Sequence, residues 1–163
     1  MTQAHRESIY HRWLIDHRAI LFKVVRSYAG TREDEEDLFQ EIALQLWRSV
    51  PAFRAESLET TWLYRIALNV ALKWSAREER RLQREPEKVL SEDSSNDQLE
   101  WLYERIRQLP KTDRSLILLL LDGFSYREMA EMIGITESNV GVKIHRIKQQ
   151  LAAAAKTPES HGF

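Results

Sequence analysis

Apolar residues recur at three- and four-residue intervals along nearly the whole chain, and strand-like alternation is almost absent. That pattern predicts an all-α protein. Ile9, Trp13, Ile20, Val24 and Tyr28 share one face of a first helix, expected to stop at Ala29-Gly30 on a left-handed glycine. A second helix is expected from about Asp34 to Ser49, with Leu38, Phe39, Ile42 and Leu46 inward and Pro51 just past its end. After the polar loop FRAESLETT, a third helix opens near Thr60 or Thr61, either of which can cap it, and runs to about Arg84. Its core stripe is Leu63, Ile66, Ala67, Val70 and Ala71, with Trp74 near the core side.

Residues 85–97, EPEKVLSEDSSND, break the pattern. Acidic, serine-containing and poor in large apolar groups, they read as a flexible linker that cannot bury enough surface to order itself. Beyond it, Leu99, Leu102, Ile106 and Leu109 mark a fourth helix ended by Pro110. Thr112 or Asp113 caps a fifth, whose run LILLLL is apolar on every side and so is expected to be a buried central helix. The predicted organisation is two small helical domains, 1–84 and 98–155, with the linker between them and a disordered tail at 156–163.

The stretch GFSYREMAEMIGITESNVGVKIHRIKQQL adds local detail. Ser125 and Glu128 have capping-box spacing, so a helix starts there. Met129, Ala130 and Ile133 face inward, and Gly134 occupies the turn position that tolerates positive φ. Thr136 caps a second helix with the stripe Val140, Ile144, Ile147 and Leu151. The pattern is a helix-turn-helix. Ser138, Asn139, Val142, Lys143 and Arg146 are left on or beside its exposed face. Asn and Ser can bond base edges, Val can meet a thymine methyl, and Lys or Arg can take guanine or phosphate. Gly141, taken as exposed within this helix, would permit a close backbone approach at some cost in helix stability.

Charge sharpens this picture because the near-neutral total, −1, conceals local blocks. From Glu33 to Glu41 there are six acids and no base. From Trp62 to Arg84 six bases stand against two acids, and from Glu137 to Lys156 four bases against one. Two basic blocks suit nucleic acid and the acidic one suits something else. On the second helix, Asp37, Glu41 and Gln45 form a polar stripe at four-residue steps, with Arg48 beyond. Such a stripe repels phosphates and suits a basic or amide-rich protein partner. On the third, Trp62, Arg65, Asn69 and Lys73 form one row, roughly 120° from the core stripe at about 100° per residue. An aromatic, a guanidinium, an amide and an ammonium in line suit a single strand, with bases stacked and phosphates held.

Enzyme chemistry finds no support. With no cysteines there are no disulfides or thiolate zinc sites, and none of the five histidines has helical metal-ligand spacing. There is no glycine-rich phosphate loop and no nucleophile elbow, so neither a cofactor nor a small-molecule substrate is expected. MTQAHRESIYHRW lacks a signal-peptide core, and the apolar run Leu116–Leu121 is too short for a bilayer. A cytoplasmic protein without membrane insertion is expected.

Together, DLFQEIALQLWR, TWLYRIALN and the helix-turn-helix resemble, in order and spacing, the bacterial RNA polymerase sigma factors of the extracytoplasmic-function group. The resemblance covers about residues 7–152. It implies a sigma-2-like helical bundle at 1–84 and a sigma-4-like domain at 98–155. It further implies that Asp37, Gln40, Glu41 and Gln45 meet the clamp helices of the polymerase beta-prime subunit, and that the second domain meets the beta flap. Trp62, Arg65, Asn69 and Lys73, with the loop from Phe53 to Thr60, would hold the minus-ten strand and capture an extruded base. Ser138, Asn139, Val142, Lys143 and Arg146 would read the minus-thirty-five duplex, and the acidic linker would thread near the RNA exit path. An anti-sigma factor is a further partner that the resemblance implies. The rival reading is a stand-alone helix-turn-helix regulator with an N-terminal dimerisation or sensing domain. It leaves the row from Trp62 to Lys73 unexplained.

Overall fold

Eight α-helices and one short 3-10 turn, with no strand, account for the regular structure of the computed structural model, which describes residues 1–84 and 97–155 (of Asp97, the backbone alone). The chain divides into two compact units, Met1–Lys88 and Val89–Phe163. The linker expected at 85–97 lies outside the described residues except for Asp97, which opens a helix, and the expected tail at 156–163 also lies outside them.

The first unit holds α1 (Gln3–Asp16), α2 (Arg18–Tyr28), α3 (Arg32–Ser49), a 3-10 turn (Val50–Ala52) and α4 (Glu59–Arg84). Helices α2, α3 and α4 pack on one another, and α1 lies against α3 and the turn. Trp13, Leu21, Leu38, Ile42, Leu46, Leu63, Tyr64 and Leu68 form the core at 1% exposure or less. Each such side chain contributes roughly 1.5–3 kcal/mol by leaving water. The Thr31 hydroxyl accepts the Asp34 amide at 3.1 Å and caps α3. Glu33, Asp34 and Glu35 then place negative charge against the positive end of the helix dipole.

Local details depart from the periodicity. The expected first helix is two, broken at His17 (φ −111°, ψ 21°), whose ring turns toward α4. Gly30 is not a left-handed cap. Ala29 runs extended (φ −115°, ψ 131°), burying its methyl and delivering Thr31 to the start of α3. Helix α4 opens at Glu59, so both threonines lie inside its first turn. Its buried face is Leu63, Tyr64, Ala67, Leu68, Ala71, Trp74 and Ser75, while Ile66 and Val70 are half-buried beside a groove. Phe39 is likewise half-buried, stacked on the exposed Phe22 at 6.1 Å.

The second unit contains α5 (Asp97–Arg107), α6 (Lys111–Leu121), α7 (Tyr126–Ile133) and α8 (Glu137–Ala155). Helix α6 is central, touching the other three, with Leu116, Ile117, Leu118 and Leu119 buried. It is not buried all round: Leu121, the end of the apolar run, is 60% exposed, and ahead of the run Asp113 and Ser115 are buried polar residues. Pro110 occupies the cap position expected of Thr112 or Asp113; Asp113 faces inward instead. The helix-turn-helix forms as its sequence predicts. Glu128 accepts the Ser125 amide at 3.0 Å and the Ser125 hydroxyl accepts the Glu128 amide at 3.1 Å. Those bonds hold the Glu128 carboxyl below its ordinary range. Gly134 turns the chain at φ 86°, and the Thr136 hydroxyl caps α8 by accepting the Asn139 amide at 3.1 Å. Gly141 is half-buried rather than exposed: a Cβ there would lie 3.7 Å from the Tyr126 ring. The close approach is by that ring.

Candidate polymerase and nucleic-acid interfaces

The acidic stripe of α3 is present on the surface, but α4 engages part of it. Asp37 is exposed and its Oδ2 accepts the Trp74 Nε1–H at 3.1 Å. Glu41 is half-buried and accepts Arg77 Nη2 at 2.7 Å. Gln40 is exposed and lies on two shallow grooves, one apolar around Phe22 and Phe39, the other lined by Glu33, Glu36, Asp37, Glu78 and Arg81. Gln45 is exposed one turn past Glu41.

Between α3 and α4 runs an open groove of about 480 Å³. Its floor is Leu44, Ile66 and Val70, and its walls include Glu41, Gln45 and Arg48 from α3 and Asn69, Lys73 and Arg77 from α4. Glu41 and Gln45, expected from the sequence to meet protein, and Asn69 and Lys73, expected to meet DNA, therefore share a groove. Arg65 is exposed but lies outside it. Trp62 is not on the exposed row. It is half-buried on Phe53, with ring centroids 5.5 Å apart, and its Nε1 is buried without a hydrogen-bond partner. Phe53 in turn meets Trp13 edge-on at 5.7 Å, so Trp62 anchors the loop that leads into α4.

Glu59, absent from the sequence-based set, fixes that loop's other end. Its carboxylate accepts Arg12 Nη1 at 2.7 Å and Nη2 at 2.9 Å, and His17 Nε2 lies 2.9 Å from Oε1. The Arg12 hydrogen bond, opposed by burial and reinforced by His17, holds the Glu59 carboxyl down at about 2. Among the loop residues, Ala55 sits at φ 57°, Leu58 is 75% exposed, and Arg54, Glu56 and Ser57 are exposed. The loop is thus an exposed strap between two fixed ends. No local signal marks Glu59, because its partners lie more than 40 residues away in sequence.

On α8, Ser138 and Asn139 are exposed and Val142 is 66% exposed, as a base-reading face requires. Lys143 and Arg146 are not independent surface cations. Both face Asp113 of α6, which is 1% exposed: Arg146 Nη2 donates to Oδ2 at 2.8 Å, and Lys143 Nζ lies 4.0 Å from Oδ1. No group of three metal-ligating side chains occurs among the described residues, and no helix there is long and apolar enough to cross a membrane.

Comparison with known proteins places both units. Residues 14–81 match the family model for sigma-70 region 2, and residues 99–151 match the model for sigma-70 region 4. The ECF RNA polymerase sigma-E factor of Haemophilus influenzae is 30% identical over 142 residues, covering 74% of each chain. The ECF sigma factor SigE of Mycolicibacterium smegmatis is also 30% identical, over 83% of this chain and 57% of its own length. Two solved structures share the fold. The sigma factor RpoE of Bartonella quintana, crystallised with the anti-sigma factor NepR, has a TM-score of 0.74 at 20% identity over 94% of this chain and 99% of its own. CnrH, in complex with the cytosolic domain of CnrY, has a TM-score of 0.64 at 21% identity, covering 93% and 91%. With region 2 and region 4 matched in order on two helical units, the chain belongs to the extracytoplasmic-function group of the sigma-70 family of bacterial RNA polymerase sigma factors.

Proposed function

We propose that this sigma factor joins core RNA polymerase, recognises minus-ten and minus-thirty-five promoter elements and so initiates transcription, with its work divided among α3, α4 and α8. Asp37, Gln40, Glu41 and Gln45 of α3 meet the beta-prime clamp helices, and the second unit meets the beta flap. Arg65, Asn69 and Lys73, with the strap from Phe53 to Thr60, hold the minus-ten strand, while Trp62 supports them from the packed side. Ser138, Asn139, Val142, Lys143 and Arg146 read the minus-thirty-five duplex. The protein acts by binding, in the cytoplasm, and the chemistry of RNA synthesis belongs to the polymerase. A partner of the anti-sigma kind, as in the Bartonella quintana complex, is part of the proposal.

The observation that carries it is the match to region 2 over residues 14–81. A stand-alone helix-turn-helix regulator accounts for α7 and α8 but not for that half. The test is run-off transcription with purified core polymerase on genomic fragments, paired with a pull-down. Glu41→Lys is expected to weaken polymerase association at least about tenfold, the scale of a lost interfacial charge pair. Arg77→Ala breaks the same internal ion pair without touching the acid and is expected to retain association. A wild-type chain that fails to associate with core polymerase overturns the proposal.

A further inference from the structure

Asp113 has no place in the functions assigned so far, yet it is the most deeply buried acid among the described residues, at 1% exposure. A carboxylate taken out of water needs compensation by charge or hydrogen bonds. Here both come from the recognition helix. Arg146 donates Nη2 to Oδ2 at 2.8 Å, whereas buried Oδ1 has no hydrogen-bond partner and lies 4.0 Å from Lys143 Nζ. Lys143 and Arg146 stand three residues apart on α8 and are therefore neighbours on one helix face, where like charges repel. A single negative charge behind both lets the two cations share that face.

The pairing also leaves them usable. The Arg146 side chain is 48% exposed and Lys143 25%, and the other Arg146 donors have no partner among the described residues. A guanidinium carries five donors in a fixed planar fork. Holding one Nη against a buried anchor fixes the plane of the fork and the direction of the rest. A freely rotating arginine recognises phosphate as a diffuse charge, whereas an oriented one can discriminate a base edge.

Resting on the proposal that α8 reads the minus-thirty-five duplex, we infer that Asp113 is a positioning residue for promoter recognition: from inside the second unit it orients Arg146 and restrains Lys143, setting which minus-thirty-five sequences are used. It touches no DNA itself and acts through the two cations.

The experiment uses the full chain in holoenzyme, on a promoter found by run-off transcription and on variants differing only at the minus-thirty-five element. Lys143→Ala and Arg146→Ala come first. If neither alters promoter selection, the proposed role of α8 falls and this inference with it. If they do, Asp113→Asn decides. Its expected effect is a loss of discrimination of about tenfold at the base read by Arg146, the scale of one oriented side-chain-to-base contact. At that base it is expected to add nothing in an Arg146→Ala background, and it should leave association with core polymerase at the wild-type level. Wild-type discrimination in Asp113→Asn, or an effect at the base read by Arg146 that adds to that of Arg146→Ala, overturns the inference and leaves the pair as an internal staple. Should Asp113→Asn lose its helical circular dichroism, Arg146→Lys replaces it. That variant keeps the cation but not the fork. It should retain the salt dependence of promoter binding while losing discrimination, and full retention of discrimination overturns the positioning role.

Discussion

Neutralising Glu59, by mutation or by acid, should loosen the packing of α4 on the junction of α1 and α2. The carboxylate is held at about 2, against an ordinary 4.5, chiefly by the paired hydrogen bonds from Arg12. Each tenfold change in proton affinity corresponds to about 1.4 kcal/mol, so the full depression sets a ceiling of roughly 3 kcal/mol. The Glu59 side chain is 25% exposed and that of Arg12 is 50% exposed, so solvent screens the pair. A contribution of about 1–2 kcal/mol is therefore expected. Its sign follows from the depressed value. The charged form is favoured in the folded state, so the contribution is complete above about 4.5 and is lost as pH falls toward about 2.

The assay compares wild type with Glu59→Gln in urea, followed by tryptophan fluorescence. Four of the five tryptophans, Trp13, Trp47, Trp62 and Trp74, lie in the first unit and report on it. At pH 6 the variant should be less stable by about 1–2 kcal/mol, a midpoint shift on the order of 1 M urea for a small unit. From pH 5 down to pH 2 the two proteins should converge, because wild type becomes protonated and glutamine does not titrate. Subtracting one curve from the other removes every other carboxylate. A difference that stays constant to pH 2, or is absent at pH 6, would refute the charge-based account of this clamp.

Two substitutions test the backbone arguments. Gly141→Ala should stabilise the second unit by about 0.5–1 kcal/mol, since the new methyl meets the Tyr126 ring at an ordinary 3.7 Å and the helix loses a flexible residue. Thermal unfolding by circular dichroism would show it, and a lowered midpoint would contradict the ordinary contact that the Tyr126 ring offers at Gly141. Ala55→Gly should stabilise the first unit by a net of roughly 0.5–1 kcal/mol, because Ala55 sits at φ 57°, where a side chain is strained. Fluorescence-monitored melting is the check, and a less stable variant would count against strain in the strap.

Features set by residues close in sequence were legible before the structure. Ser125 and Glu128, Gly134 and Thr136 each act within four residues of one another or on their own backbone, and each does what its spacing predicts. The helical periodicity likewise revealed the all-α class. Features made by distant partners were not legible. Glu59 meets Arg12 across 47 positions, Glu41 meets Arg77 across 36, and Asp113 meets Arg146 across 33. Trp62 shows why. A step of about 100° per residue correctly places it in line with Arg65, Asn69 and Lys73. That angle says nothing about Phe53, which folds back over Trp62 and removes it from the row. His17 is similar, since no glycine or proline marks the break and its partner Glu59 lies in another helix.

The distribution of ion pairs gives the near-zero net charge a physical meaning. Arg77, Lys143 and Arg146, three cations from the two basic blocks, each face a carboxylate on a different helix of their own unit. Arg65 and Lys73 are exposed and have no ion pair among the described residues. Affinity for duplex DNA grows with the number of phosphates neutralised, and a cation must give up its internal partner before it displaces counterions at full effect. Paired cations therefore add less to bulk affinity than free ones would, yet stay where a docked promoter would find them. Tethering to a polymerase that already holds the DNA replaces bulk affinity by a high local concentration, so weak intrinsic binding then suffices. The carboxylates that pair with these cations, and the acidic stripe of α3, are thus expected to limit non-specific capture of the free protein by nucleic acid, and neutralising them should raise it.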